Sequence, residues 1–395
     1  MSQKKVVILG ASGFVGTTLT ERLLNRSGIE VVPAIHSAAS AWRLARHGIP
    51  LQQLDINDRD ALSAMLRGAT HVINCTRGPR SVMIDGLRNV IAGCRAAGVT
   101  RLVHLSSVMV YGDPPDPASH HEDAPTNPPP GPDSYGLIKL EQDRLVQKAA
   151  AAGLASVVLC PPNISGPHSE YLAGIVNSMR SGSFALVDDG GNPCNLVDVR
   201  NLCHAIELAL DFEGTALDGT RLFVTDGQPV TWMDVFTELR ELAEVHEVRR
   251  IEHQELARLA GGRAAPVTMS ISKAIRHLVS SDVRAALRKD PLLASLDRAA
   301  RRAVSMFGGR MEDRLRMGIE GHTSVLQVDP NADLAVGLCA QQLRGVRHLN
   351  DRAEKTLGFR PPVTFKQSMR DFRCWYRNTH GMDSPYWLLS RHLYT

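Results

Sequence analysis

The segment Gly10-Ala-Ser-Gly-Phe-Val-Gly16 follows a run that reads as a buried strand, residues 4–9, whose last four are apolar, and opens an amphipathic stretch that reaches about Asn25. A buried strand that turns directly into a helix on glycines spaced three apart leaves few folds open to the chain. Gly10 permits the tight turn. Gly13 lets backbone N–H groups approach a pyrophosphate at the helix N-terminus, and Gly16 lets the helix pack closely on the strand. Ser12, Phe14 and Val15 share the turn and are candidate contacts to that ligand. A plain glycine turn is the alternative, but a strand before and a helix after are what a phosphate cradle requires.

The alternation then repeats. Strands are expected at residues 30–35, 51–54, 71–75, 101–105 and 155–160, and helices at 59–66, 81–97 and from 135 to about 152. Such alternation calls for a parallel, doubly wound sheet with right-handed crossovers and with sites at the carboxyl ends of its strands. Beyond residue 165 the pattern loosens. Residues 195–199 precede a helix to 210, a strand is expected at 222–225, Thr231 caps a helix to about 245, and 349–358 and 364–376 are the last helices. The expected fold is α/β with a smaller, mainly helical C-terminal substrate and cap region. Its parts are a dinucleotide-binding core at 1–165, a substrate-binding part with strands returning to the core at 166–250, a basic helical insertion at 251–345, and C-terminal helices with an aromatic tail at 346–395.

Where a dinucleotide fold that prefers NAD offers a carboxylate to the adenosine ribose after the second strand, this chain has His36 and Ser37, then Arg43 and Arg46. These groups suit a 2′-phosphate, which favours NADP over NAD as cofactor. Asp55 falls where an adenine amino group is read, and Asp58 is an expected helix N-cap.

Tyr135-Gly-Leu-Ile-Lys139 sets a phenol and an ammonium on one helix face, one turn apart. A free phenol has a pKa of about 10, so a tyrosine that exchanges a proton near neutrality needs a cation beside it, which Lys139 supplies. His104-Leu-Ser-Ser-Val-Met-Val-Tyr-Gly112 puts Ser106, Ser107 and Tyr111 just past a strand end. The proline- and acid-rich stretch 113–133 is expected to be a loop over the site. Within it, His120-His-Glu-Asp123 is not read as a metal site, because adjacent residues do not readily converge on one ion.

Composition narrows the function further. With 43% hydrophobic and 22% charged residues, and no apolar run near the roughly 20 residues that span a bilayer, no membrane-spanning segment is expected. Met1-Ser-Gln-Lys-Lys5 runs directly into the first strand, so no signal peptide and a cytoplasmic location are expected. The seven cysteines are scattered and never paired as C-x-x-C, which points to free thiols. The net charge is only +4, yet residues 249–316 carry fifteen Arg or Lys against seven Asp or Glu. Ile271, Ile275, Leu278 and Val279 fall at helical spacing there, as do Leu292, Leu293 and Leu296. The segment is expected to cap the substrate cleft with its arginines turned to solvent or to an anionic substrate group. Peripheral docking on a membrane is the alternative, and nucleic acid is not an expected partner.

In order along the chain, GASGFVG, SSVMVYG and YGLIK resemble the extended short-chain dehydrogenase/reductases, Rossmann-fold members of the NAD-dependent epimerase/dehydratase superfamily. The resemblance covers residues 4 to about 245 and returns at Leu357-Gly-Phe-Arg-Pro-Pro-Val-Thr-Phe365. It implies an oxidoreductase that moves a hydride between nicotinamide and a secondary alcohol or ketone. In it Tyr135 is the acid/base, Lys139 binds the nicotinamide ribose, and Ser107, with Ser106 in reserve, bonds the substrate oxygen. It also implies cofactor contacts at Ile56 and Pro162 and substrate contacts at Val108 and Asn163. Val108 and Met109 stand where sugar dehydratases carry an acidic pair, so dehydratase chemistry is not expected. One acid of a common pair is replaced at Val197-Asp198. The alternatives are a nucleotide-sugar 4-epimerase with tightly bound NAD and a non-catalytic dinucleotide sensor. A small-molecule substrate and a homodimer are expected.

Overall fold

The computed structural model describes residues 3–131, 134–214, 217–261 and 333–380. Its strands are β1 (Lys4–Leu9), β2 (Ile29–Ile35), β3 (Gln52–Gln53), β4 (His71–Asn74), β5 (Arg101–Leu105), β6 (Ser156–Cys160), β7 (Asn163–Ser165), β8 (Ala185–Val187), β9 (Leu196–Asp198), β10 (Asp218–Phe223) and β11 (Arg249–Ile251). Its helices are α1 (Phe14–Leu23), α2 (Trp42–Ala45), α3 (Arg59–Leu66), α4 (Leu87–Ala96), α5 (Tyr135–Ala151), α6 (Glu170–Arg180), α7 (Val199–Asp211), α8 (Trp232–Ala243), α9 (His253–Gly261), α10 (Val336–Cys339), α11 (Asp351–Leu357) and α12 (Phe365–His380). By chain contacts the protein divides into two units, residues 1–257 with 328–395, and residues 258–327. The described part of the second unit is the end of α9, residues 258–261. The start of α9 and all the other described strands and helices belong to the first unit.

Seven strands form one parallel sheet in the order β10-β6-β5-β4-β1-β2-β3. A parallel sheet needs both faces covered, and the alternation of side chains along β1 shows how that is met. Val6 and Ile8 pack with Leu19 and Leu23 of α1 and with Leu202 and Ile206 of α7. Val7 and Leu9 pack with Leu62 of α3, Leu87 and Val90 of α4, and Val146 of α5. Strand order reverses between β1 and β4, which opens a crevice at their carboxyl ends. A third apolar cluster joins α6, β8, α8, α12, Leu256 and Cys339, with β8 paired to β11 and β7 to β9.

Asp58 caps α3, accepting hydrogen bonds from the amides of Asp60 and Ala61, and Thr231 caps α8 in a reciprocal box with Asp234. Several boundaries differ from expectation. The third strand is only Gln52–Gln53, both residues exposed at the sheet edge. The helix expected at 81–97 opens with a π-helical turn, Ser81–Gly86, before α4. The last strand of the sheet begins at Asp218, because its pairing with β6 starts opposite Ser156. α6, β7 and β8 were not anticipated. The expected stripes from Ile271 to Leu296, and the tail beyond residue 380, lie outside the described residues.

All seven cysteines are free, five of them buried, with Cys75 half-buried and Cys374 exposed. No described helix is long and apolar enough to cross a membrane.

Candidate active site

β5 delivers the serine pair. Past Leu105 the chain stays paired to the β6 side, with the Ser106 amide donating to Leu159 O at 2.7 Å and the Val108 amide to Pro161 O at 3.2 Å. Extended backbone sends successive side chains to opposite faces, so the two hydroxyls part company. Ser106 turns inward toward Asp143 and Cys160 and is buried. Ser107 faces Tyr135, accepts from the Met109 amide at 3.3 Å, and caps the short turn Val108–Tyr111. Tyr111 is not part of this face: its hydroxyl donates to Glu122 O at 2.9 Å in the core.

Tyr135 is the first residue of α5 and keeps 36% of its surface exposed, while Lys139, one turn on, is buried at 4%. The Lys139 ammonium donates to Leu105 O at 2.7 Å and lies 5.8 Å from the centre of the tyrosine ring. Burial pushes Lys139 down to about 8, opposed chiefly by Asp143. Burial pushes the Tyr135 phenol up, and the largest opposing charge is Arg77, whose guanidinium carbon stands 5.5 Å from the ring centre. Sequence reasoning gave the cation beside the phenol as Lys139 alone and missed Arg77, which sits in an irregular loop past β4.

The dinucleotide turn fits its expected ligand. Gly10 takes φ +81°, and a side chain on it would meet Cys75 O at 3.0 Å. The N-cap of α1 is Gly13, so no side-chain oxygen caps the first-turn amides. They stay available to an anion, and the ten-residue helix adds its dipole. A Cβ on Gly16 would lie 2.2 Å from Gly10 O. Gly16→Ala must therefore lift α1 off β1, and we expect it to cost about 1–3 kcal/mol of stability and most of the dinucleotide affinity. Denaturant midpoints and dinucleotide titration check this, and an unperturbed variant would rule out the close packing of α1 on β1.

The rim beyond β2 is more mixed. His36 is exposed, and the Ser40 hydroxyl meets the Ser12 hydroxyl at 2.9 Å and Ser37 O at 2.8 Å. Arg43 and Arg46 both pair with Glu21 of α1, at 3.0 and 2.9 Å. Asp55 is exposed and accepts from the Asn57 amide at 2.9 Å, while Ile56 is buried.

A pocket open to solvent begins one residue past Ser107. Val108, Pro162, Asn163, Trp232, Arg344 and His348 are among its walls. Asn163 donates to Gln341 Oε1 at 3.0 Å, and Tyr171 reaches the same oxygen at 3.2 Å. Arg344 grips Asp113 with two nitrogens, at 2.8 and 3.0 Å. Gln341, Arg344 and His348 were missed in the sequence, because they sit on a short 3-10 turn and an irregular segment with no periodic signal. His120 to Asp123 diverge: His120 bonds Arg347 O, Glu122 accepts from the Phe223 amide, and Asp123 pairs with Arg352.

Residues 6–220, more than half of the chain, match the NAD dependent epimerase/dehydratase family. The chain belongs to that family. Within it, similarity to characterised members is partial. A 3beta-hydroxysteroid-dehydrogenase/decarboxylase (isoform 1) of Arabidopsis thaliana is 27% identical over 61% of this chain and 61% of its own length. The sterol-4-alpha-carboxylate 3-dehydrogenase, decarboxylating, of Mus musculus is 29% identical over 58% of this chain and 65% of its own. The chain thus spans less than two thirds of either relative. Among solved structures, the UDP-glucuronic acid 4-epimerase of Bacillus cereus in complex with NAD has a TM-score of 0.63, at 13% identity over 95% of this chain and 99% of that one. At that identity the family fold is what is shared.

Proposed function

We propose that the protein is a nicotinamide-dependent oxidoreductase acting on a secondary alcohol or ketone. The observation that carries this reading is the convergence of Ser107, Tyr135 and Lys139 at the carboxyl end of β5. A bound nicotinamide dinucleotide supplies the hydride donor or acceptor. Tyr135 gives a proton to the substrate oxygen in reduction and takes it back in oxidation. Ser107 orients and polarises the same oxygen, and Lys139 holds ribose hydroxyls while its charge favours the phenolate. Val108, Pro162 and Trp232 give the substrate body an apolar wall, and Asn163 offers an amide.

One relative is named for a 3beta-hydroxysteroid and the other for a sterol-4-alpha-carboxylate, which supports an apolar substrate with its oxygen on a secondary carbon. The test is a panel of 3-hydroxysterols, 3-hydroxy acids and other secondary alcohols offered with NAD or NADP. Reduced cofactor should accumulate in step with ketone. A protein that purifies with dinucleotide bound and interconverts nucleotide-sugar epimers without net cofactor change is an epimerase instead.

NADP is the proposed preference. No carboxylate follows Ile35, and the Ser12, Ser37 and Ser40 group with His36 offers hydrogen-bond partners to a 2′-phosphate. Arg43 is engaged by Glu21, so the preference rests on those groups. Titration of both dinucleotides should give NADP about tenfold tighter binding, or about 1.4 kcal/mol. A tenfold preference for NAD would mean that no 2′-phosphate site exists at the end of β2.

A further inference from the structure

Hydride transfer through Ser107, Tyr135 and Lys139 leaves Arg77 without a task. Arg77 follows Cys75 and Thr76, whose backbone adjoins the Gly10 turn: a Cβ on Gly10 would stand 3.0 Å from Cys75 O and 3.2 Å from Thr76 N. Its guanidinium carbon lies 5.5 Å from the centre of the Tyr135 ring, and the Lys139 ammonium approaches the same ring at 5.8 Å. Two cations therefore border one phenol. Lys139 is buried, bonded to a carbonyl, and has Asp143 one turn along its helix. Arg77 is exposed, and among the described residues no carboxylate pairs with it.

Other arginines among the described residues are held in ion pairs. Arg344 is held by Asp113 at 2.8 Å, Arg221 by Asp143 at 2.6 Å, and Arg43 by Glu21 at 3.0 Å. A guanidinium over an aromatic face is attracted by the ring, which biases its position without using its N–H donors. Those donors form a planar fork that matches a carboxylate or a phosphate. The remaining charges facing Tyr135 do not supply such a partner: Asp143 is committed to Arg221, and Cys160 is a buried thiol.

We propose that Arg77 is the oxyanion-binding residue of the catalytic site, holding a carboxylate or phosphate beside the group that reacts at Tyr135. The proposal rests on the reading of Tyr135 as the catalytic phenol. The oxyanion has two sources, a substituent of the substrate or the diphosphate of the dinucleotide. Bound there, it offsets the Arg77 charge and so makes the Tyr135 proton harder to remove. Ser107, Lys139, Asp143 and Cys160 are the other groups that act on that proton.

The experiment compares the full-length protein with Arg77→Gln and Arg77→Lys in three measurements. The first follows tyrosinate absorbance against pH, with Tyr135→Phe as the subtracted reference, and needs no substrate. Arg77→Gln should move the Tyr135 midpoint upward. The second titrates NAD and NADP by calorimetry. The third takes the ratio of kcat/KM for a 3-hydroxy acid to that for its methyl ester. A substrate oxyanion predicts that this ratio falls about tenfold or more in Arg77→Gln, and a cofactor oxyanion predicts a similar loss of dinucleotide affinity, with Arg77→Lys recovering part of either. A stationary Tyr135 midpoint, or an unchanged ratio together with unchanged affinity, overturns the proposal. If the wild type turns over neither compound, the assigned chemistry fails separately, and the titration and calorimetry decide the role of Arg77.

Discussion

Tyr135→Phe is expected to lower kcat by about a thousandfold and to leave dinucleotide affinity within a few-fold of the wild type. The substitution removes one oxygen and keeps the ring, so the packing of Arg77 and Lys139 around it survives. What is lost is the proton that the substrate oxygen exchanges. Lys139→Ala should damage both quantities, because the ammonium at the end of the Leu105 hydrogen bond is also the group proposed to hold the ribose. Steady-state kinetics and dinucleotide titration on both variants check this. Near-normal turnover in Tyr135→Phe would remove the tyrosine from the chemistry, and Ser107 and Lys139 would then need another explanation for their convergence.

How far the sequence foretold this site depends on what kind of signal each residue carries. β1, α3 and β5 are bounded as the apolar runs and caps predict, since each is defined by short-range features: a buried alternation, the Asp58 cap, a strand ending in serines. Tyr135 and Lys139 were legible because helical spacing alone brings them together. α6 was missed although Ser169 caps it and Leu172, Ile175, Val176 and Met179 lie on one face. Its signal was present, but it falls where the regular alternation of strand and helix loosens. Arg77, Gln341 and Arg344 were beyond reach for a different reason. Their places come from contacts such as Arg344 with Asp113, which are far apart along the chain and follow no period. Arg43 shows the converse case: its residue type suits phosphate, but residue type alone did not foretell its ion pair with Glu21 of α1.

The largest stability effect is expected at Asp143, and it separates folding from chemistry. The Asp143 carboxylate meets Arg221 at 2.6 Å, with side-chain exposures of 0% and 14%, and so ties α5 to the edge strand β10. Burial pushes Asp143 up and the guanidinium opposes it. Asp143→Ala leaves that guanidinium in a confined site without its partner, which should cost about 3–5 kcal/mol in denaturant unfolding. Adding Arg221→Met removes the stranded charge, and the double variant should recover much of that loss. Activity should not recover with it. Asp143 is the main group that holds up the proton affinity of Lys139, which burial has already brought down to about 8. Without the carboxylate, the lysine titrates at lower pH, so its cation is lost sooner as pH rises and the alkaline fall in kcat/KM moves toward neutrality in both variants. Strictly additive stability losses would show that the pair does not act as a unit, and an alkaline limb left at its wild-type position would show that Asp143 does not govern the charge of Lys139.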